Sequence, residues 1–221
     1  MAGVSKPVRP VRKVTIVGGG TAGWMTATLL SRLFAGGGFD IRLIESEEIG
    51  TIGVGEATIP AIRSFHELAG IDQVEMLRAT QATFKLGIEF VDWRDKGTSY
   101  IHGFGKIGQD LLWLHPHQFW LKYAARGQAK HFDHYALNCV AARRNRFAQP
   151  DKRNPDSPMA GLDYAYHFDA SLWARYLRGH AEARGVTRIE GRIVSVDLRP
   201  EDGHVDQVVF ADGRTVDGDL F

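Results

Sequence analysis

Gly18, Gly20 and Gly23 stand in the order G-x-G-x-x-G directly after the apolar run Val14–Val17. At a strand-to-helix junction that spacing suits a pyrophosphate. The first glycine permits the tight turn, the second lets backbone approach the phosphates, and the third lets the helix pack close to the sheet. The amides opening the helix, at Thr21 and Ala22, then face the anion. Glu45 ends the next apolar run, near the offset at which a carboxylate holds a ribose hydroxyl. A dinucleotide site is the expectation, with a ligand-free structural turn as the alternative. These residues do not choose between NAD and FAD.

Other words in the sequence have chemical uses of their own. In "GVGEATIP", Gly53 and Gly55 let backbone come close to a flat ring system, while Glu56, Ala57 and Thr58 offer backbone amides. The same word also reads as a turn capping a helix at Pro60. His102 and Phe104 form an H-x-F pair suited to stacking on a π face, or simply edge aromatics of a strand. Lys85, in "TFKLGIEF", reads from residue types alone as a solvated lysine at a strand edge. His115, His117, His131 and His134 invite a metal, but zinc needs three or four converging ligands. His131 and His134 are three apart with Asp133 out of register, so no metal is expected.

The elements that must position these residues follow from periodicity. Val14–Val17 reads as a buried strand, residues 22–34 as a helix stopped by "AGGG", and "FDIRLIES" as a second strand, together a right-handed βαβ unit with parallel strands. "EIGTIGVGEAT" is too glycine-rich for a helix and reads as a long shaped loop. Pro60 suits a first helical turn, with Thr58 as a cap, and predicts a helix over 61–68. "TFKLGIEFVDW" reads as extended with "TSYIHGFG" as its neighbour, and "HPHQFWLKYAAR" turns helical, its aromatics reading as core. The polar stretch 142–161 reads as a mobile loop. Asp169 caps a helix to about Arg184 with Leu172, Trp173, Tyr176 and Leu177 on one face. The tail reads as a three-stranded β-meander turning at Gly203 and Gly213.

Composition excludes some partners. The chain has 221 residues with 44% hydrophobic and 24% charged, ordinary for a globular protein. Lys and Arg total 27 against 26 acids, and a net charge of +1 gives no field to draw nucleic acid or an anionic membrane. The leader "MAGVSKPVRPVR" is expected to fray, with no signal peptide and no membrane-crossing run. Cys139 is the single cysteine, so no intrachain disulfide forms and a reducing, cytoplasmic setting fits.

Taken together and in this order, "GGGTAGWMTA", "GTIGVGEATIP" and "FKLGIEF" resemble the flavin-dependent tryptophan halogenase family, from about Lys13 onward. The resemblance implies an α/β fold: a Rossmann-like FAD-binding domain of the glutathione-reductase type with an inserted α+β segment, incomplete at the C-terminus. Residues 13–60 would hold the βαβ motif and flavin loop, 61–168 the insertion with the lysine, and 169–221 the helix and meander returning to the FAD domain. It implies reduced FAD from a separate flavin reductase, with O2 and chloride or bromide as co-substrates. Hypohalous acid then reaches a lysine, matched here by Lys85, that steers halogenation of an electron-rich ring, usually indole. Glu56 and Ala57 match flavin contacts, Ile193 a backbone contact to adenine, and His102 and Phe104 the pair around the indole. The assembly state, including a homodimer, stays open. An aromatic FAD monooxygenase and a non-catalytic flavin-binding module are the rival readings. The family's halide site, catalytic glutamate and W-x-W-x-I-P word lie beyond Phe221, and the meander should leave an unpaired edge there.

Overall fold

A computed structural model of the chain describes residues 10–49, 55–151 and 153–221. In order these form β1 (Lys13–Val17), α1 (Thr21–Leu33), β2 (Asp40–Glu45), β3 (Gly55–Ala57), α2 (Ala61–Ala69), α3 (Gln73–Thr80), β4 (Thr83–Lys85), β5 (Gly87–Val91) and β6 (Ser99–Gly103). There follow α4 (Pro116–Ala124), α5 (Leu137–Arg143), β7 (Ala165–Asp169), α6 (Ala170–Ala183), β8 (Thr187–Glu190), β9 (Ile193–Leu198), β10 (Val205–Phe210) and β11 (Thr215–Asp217). They divide into two compact units, one from the described parts of residues 1–55, 65–82 and 168–221, the other from 56–64 and the described parts of 83–167.

The first unit is built on a parallel sheet in the order β1-β2-β8, with Val14 opposite Ile41 and Ile44 opposite Ile189. A further parallel bridge joins Val14 to Leu220 on the free side of β1. Leu43 and Ile44 are buried, as a strand covered on both faces requires. Helix α1 packs on α6, where the Thr28 hydroxyl donates to the Leu177 carbonyl at 3.1 Å. Asp169 starts α6 as expected, its carboxylate accepting from Leu172 N at 2.8 Å. The face of α6 holding Trp173 and Leu177 is fully buried. Strands β9, β10 and β11 form the antiparallel meander, turning at Gly203 (φ 74°) and Gly213 (φ 86°).

One boundary in this unit differs from the sequence reading. "RIEGRIVSVDL" is two strands: β8 joins β2 in the parallel sheet, and only β9 enters the meander. Gly191 makes the corner at φ 158°, where a Cβ would stand 2.4 Å from the Phe210 ring. Phe210, Val208 and Ile44 form the core under the meander, with Ile193 packed against them.

The second unit contains a small sheet in the order β3-β7-β4 and the antiparallel hairpin β5–β6. Ile88 faces His102 and Glu89 faces Ile101 across the hairpin, as the extended reading of both words predicts. Three expectations are corrected here. Residues 55–57 are strand, not loop, because β7, more than a hundred residues later, supplies the partner; residues 50–54 lie outside the described residues. The stretch 142–161 is anchored in its first half, with Phe147 stacked on Phe84 at 3.8 Å and the Tyr164 hydroxyl donating to Gln149. No residue of α4 is buried, so its aromatics are not core; Trp120 instead donates from its indole to the Lys130 carbonyl and packs against Phe132. The leader expectation falls, for residues 1–9, outside the described residues. No helix among the described residues is long and apolar enough to cross a membrane.

Candidate functional site

The glycine turn has the geometry that a phosphate cradle needs. Gly18 adopts φ 112° and its amide donates to the Ile44 carbonyl at 2.8 Å, tying the turn to β2. A Cβ on Gly23 would meet the Gly18 carbonyl oxygen at 1.8 Å, so α1 approaches the turn as only glycine allows. At Gly20, the residue preceding α1, a Cβ would meet nothing within 4 Å, and the space over the turn is open. No side-chain hydrogen bond caps α1 at Gly20 and its first turn contains no acid, so the positive end of the helix faces this turn. These features fit a bound pyrophosphate.

Glu45 lies against this turn, one carboxylate oxygen accepting from the Trp24 indole at 3.1 Å and the other from the Arg188 guanidinium. A Cβ on Gly19 would collide with that carboxylate. Trp24, buried in α1, and Arg188 from β8 thus aim the acid that the spacing singled out. Neither partner was legible as such, since Arg188 stands 143 residues from Glu45. Ile193 opens β9 at the edge of the meander.

Lys85 is not solvated: it is 7% exposed. Its ammonium donates to the Thr58 carbonyl at 2.9 Å and lies 5.5 Å from the centre of the Phe104 ring. Burial pulls its pKa below the ordinary lysine value. Thr58 therefore is not a helix cap. Its hydroxyl accepts from Tyr166 N, its amide donates to the Tyr166 carbonyl, and its own carbonyl holds the lysine. The segment containing Glu56 and Ala57 is thereby tied through one residue to Lys85, a link the sequence hid because Tyr166 is 108 residues away.

Lys85 opens onto a cleft of about 680 Å³ shared with Phe84, Leu86, Ile101, Phe147 and His167. Thr83 faces His167 and Lys85 faces Ala165 across β4 and β7, so Lys85 and His167 lie on one face of the sheet. Burial and the neighbouring ammonium both lower the His167 pKa, which favours a neutral ring. Phe104 reaches Lys85, whereas His102 lines a second cleft with Trp93, Tyr100 and Phe132. Of the expected H-x-F pair, Phe104 stands by the lysine and His102 lies in the second cleft. Among the described residues no group of three His, Cys, Asp or Glu side chains is arranged to hold a metal ion.

The profile of the tryptophan halogenase family matches residues 13–221. The chain belongs to the tryptophan halogenase family. This halogenase-family chain is 36% identical over 230 residues to tryptophan 6-halogenase SttH of Streptomyces toxytricini, covering 95% of this chain and 43% of that protein. It is 36% identical to tryptophan 7-halogenase RebH of Lentzea aerocolonigenes, covering 96% and 42%. Among solved structures, it is similar to Xcc4156, a flavin-dependent halogenase from Xanthomonas campestris, with TM-score 0.86, 50% identity and coverage of 96% and 42%. BrvH, a flavin-dependent halogenase from Brevundimonas sp. BAL3, is similar with TM-score 0.86, 46% identity and the same coverage. The chain spans about two fifths of the length of these relatives.

Proposed function

We propose that this chain is the FAD-binding and lysine-bearing portion of a halogenase that places chlorine or bromine on an electron-rich aromatic ring such as an indole. The observation that carries the reading is Lys85: a buried ammonium pinned by Thr58, walled by aromatic rings and facing a cleft. A lysine on a strand is ordinarily solvated, and burying one costs stability, a cost that a role for the charge in function would account for.

The glycine turn with Thr21 and Ala22 would hold the pyrophosphate of FAD, and Glu45 a ribose hydroxyl, with Glu56, Ala57 and Ile193 as further contacts. Reduced FAD, when bound, supplies the two electrons with which O2 and halide become hypohalous acid and water. A separate flavin reductase provides that reduced flavin, and the reducing cytoplasm suits the single buried Cys139.

Lys85 spends one N–H on Thr58 and has others to give. Donated to the oxygen of hypohalous acid, they hold the halogen outward and draw electrons from the O–X bond. A ring carbon then attacks the halogen, the oxygen leaves as water, and the ring proton goes to solvent or a base. Neutral Lys85 offers a second route, in which the amine takes the halogen as a haloamine with loss of water and passes it to the ring. Phe84, Phe104 and Phe147 keep water from competing for the oxidant.

The test uses the full-length protein with FAD, a flavin reductase, NADH, O2, chloride or bromide and a panel of indoles, read by mass spectrometry for the halogen isotope pattern. Halogenated product is expected, and Lys85→Ala should reduce it by at least about 100-fold while FAD affinity stays within about twofold. Hydroxylated product formed without halide would assign a monooxygenase instead. Halogenation undiminished in Lys85→Ala would remove the lysine from the mechanism.

A further inference from the structure

The two clefts of the second unit share one wall. Ile101 lines both: the Lys85 cleft on one side, and on the other the cleft that holds His102, Tyr100 and Trp93. It sits in β6, which among the described residues has a strand partner, β5, on one edge only. Its backbone is nevertheless satisfied on the other edge, by side chains. Asp133 accepts the Ile101 amide at 3.0 Å, and the Cys139 thiol donates to the Ile101 carbonyl at 3.4 Å.

Asp133 is itself locked. It is 7% exposed in its side chain and accepts from the Arg143 guanidinium at 2.8 Å, with the His131 ring 3.5 Å away. Arg143 also reaches Glu89 at 3.6 Å, and Glu89 is the β5 residue directly opposite Ile101. One guanidinium therefore clamps both strands of the hairpin, β5 directly and β6 through Asp133. Around the clamp the fit is close. A Cβ on Gly103 would stand 2.9 Å from the Cys139 sulfur, and one on Gly105 2.1 Å from the Asn138 amide oxygen. Asn138 in turn donates to the carbonyl of Leu86, the residue after Lys85, at 3.0 Å.

A carboxylate–guanidinium pair whose guanidinium is 41% exposed adds little stability, because water screens the arginine charge. Its value lies in geometry. This one fixes, to a hydrogen-bond length, the strand bearing His102 and leading to Phe104 against β5, which begins two residues after Lys85. We propose that Asp133 and Arg143 are positioning residues that set the substrate wall of β6 against Lys85, and so help decide which ring carbon meets the halogen. This rests on the reading of Lys85 as the halogen-holding residue and of β6 as a wall of the aromatic site.

The test compares wild type, Asp133→Asn and Lys85→Ala in the full-length protein. Three quantities are read: amide exchange at Ile101, equilibrium binding of an indole substrate, and the ratio of halogenated isomers. Asp133→Asn keeps the volume and loses the ion pair. It should speed Ile101 exchange by about 10-fold or more, weaken indole binding at least about fivefold, and raise the share of the minor isomer, with FAD affinity unchanged. Arg143→Lys, which keeps the charge but not the two-pronged grip, should lie between wild type and Asp133→Asn. It also carries the comparison if Asp133→Asn does not fold. Unchanged Ile101 exchange would overturn the proposal, as would faster exchange with unaltered indole binding and isomer ratio. Full halogenation by Lys85→Ala would strike the underlying reading instead, and the exchange and binding measurements still decide whether the clamp shapes the β6 wall.

Discussion

At the scale of single residues, Lys85 is held where its charge is least welcome. Burial lowers its pKa from the ordinary 10.5, so the unfolded chain holds the proton more tightly than the folded one. The cost of the buried ammonium is therefore complete below the lowered pKa and disappears as pH climbs toward 10.5. Lys85→Met should raise the melting temperature at pH 7 by roughly 2–4 °C, equivalent to about 1 kcal/mol. That gain should shrink as pH approaches 10; a gain independent of pH would show that Lys85 does not carry its charge in the fold. The burial of this lysine was not legible from its residue type, which points to the surface, and the role proposed for it was suggested only by its neighbours "TF" and "LGIEF". What Thr58 does was not legible, because its three partners, the amide and carbonyl of Tyr166 and the ammonium of Lys85, meet it only once β3, β4 and β7 lie side by side.

Elements made mostly of local contacts were readable to within a residue or two. The βαβ opening and α6 with its Asp169 cap needed only periodicity and punctuation. Strand β3 was missed because Gly55, Glu56 and Ala57 have little strand preference and are extended only by a distant partner. The α1 entrance supports a paired prediction that separates a ligand site from a structural turn. Gly23→Ala drives a methyl into the Gly18 carbonyl and should destabilise the protein by about 1–3 kcal/mol, read by urea denaturation. Gly20→Ala puts its methyl into open space and should leave stability within about 0.5 kcal/mol. If the pyrophosphate sits over this turn, the same substitution should nonetheless weaken FAD binding about tenfold or more. Unchanged FAD affinity in Gly20→Ala would make the glycine turn purely structural.

For the molecule as a whole, His66 sets a response to acid. The ring is buried in α2 beside Trp173, its centroid 5.3 Å away, and burial lowers its pKa from 6.5 to about 4. Below pH 6.5 the unfolded chain takes up a proton that the folded one refuses, so stability falls as pH drops from 6.5 toward 4. The loss is on the order of 3 kcal/mol over that window, and His66→Gln should abolish that part of the slope in denaturation curves taken across it. Equal slopes in both proteins would contradict the burial of a neutral ring. The parallel sheet has a consequence of another kind, for synthesis. Arg188 on β8 meets Glu45 on β2 across 143 residues of sequence, and the residues that build the second unit are made in between. At ribosomal speeds of about 5–20 residues per second, β1 and β2 wait roughly 7–30 s for their third strand. During that interval the bare edge of β2, with Leu43 and Ile44, is what a trigger-type chaperone would meet on the emerging polypeptide.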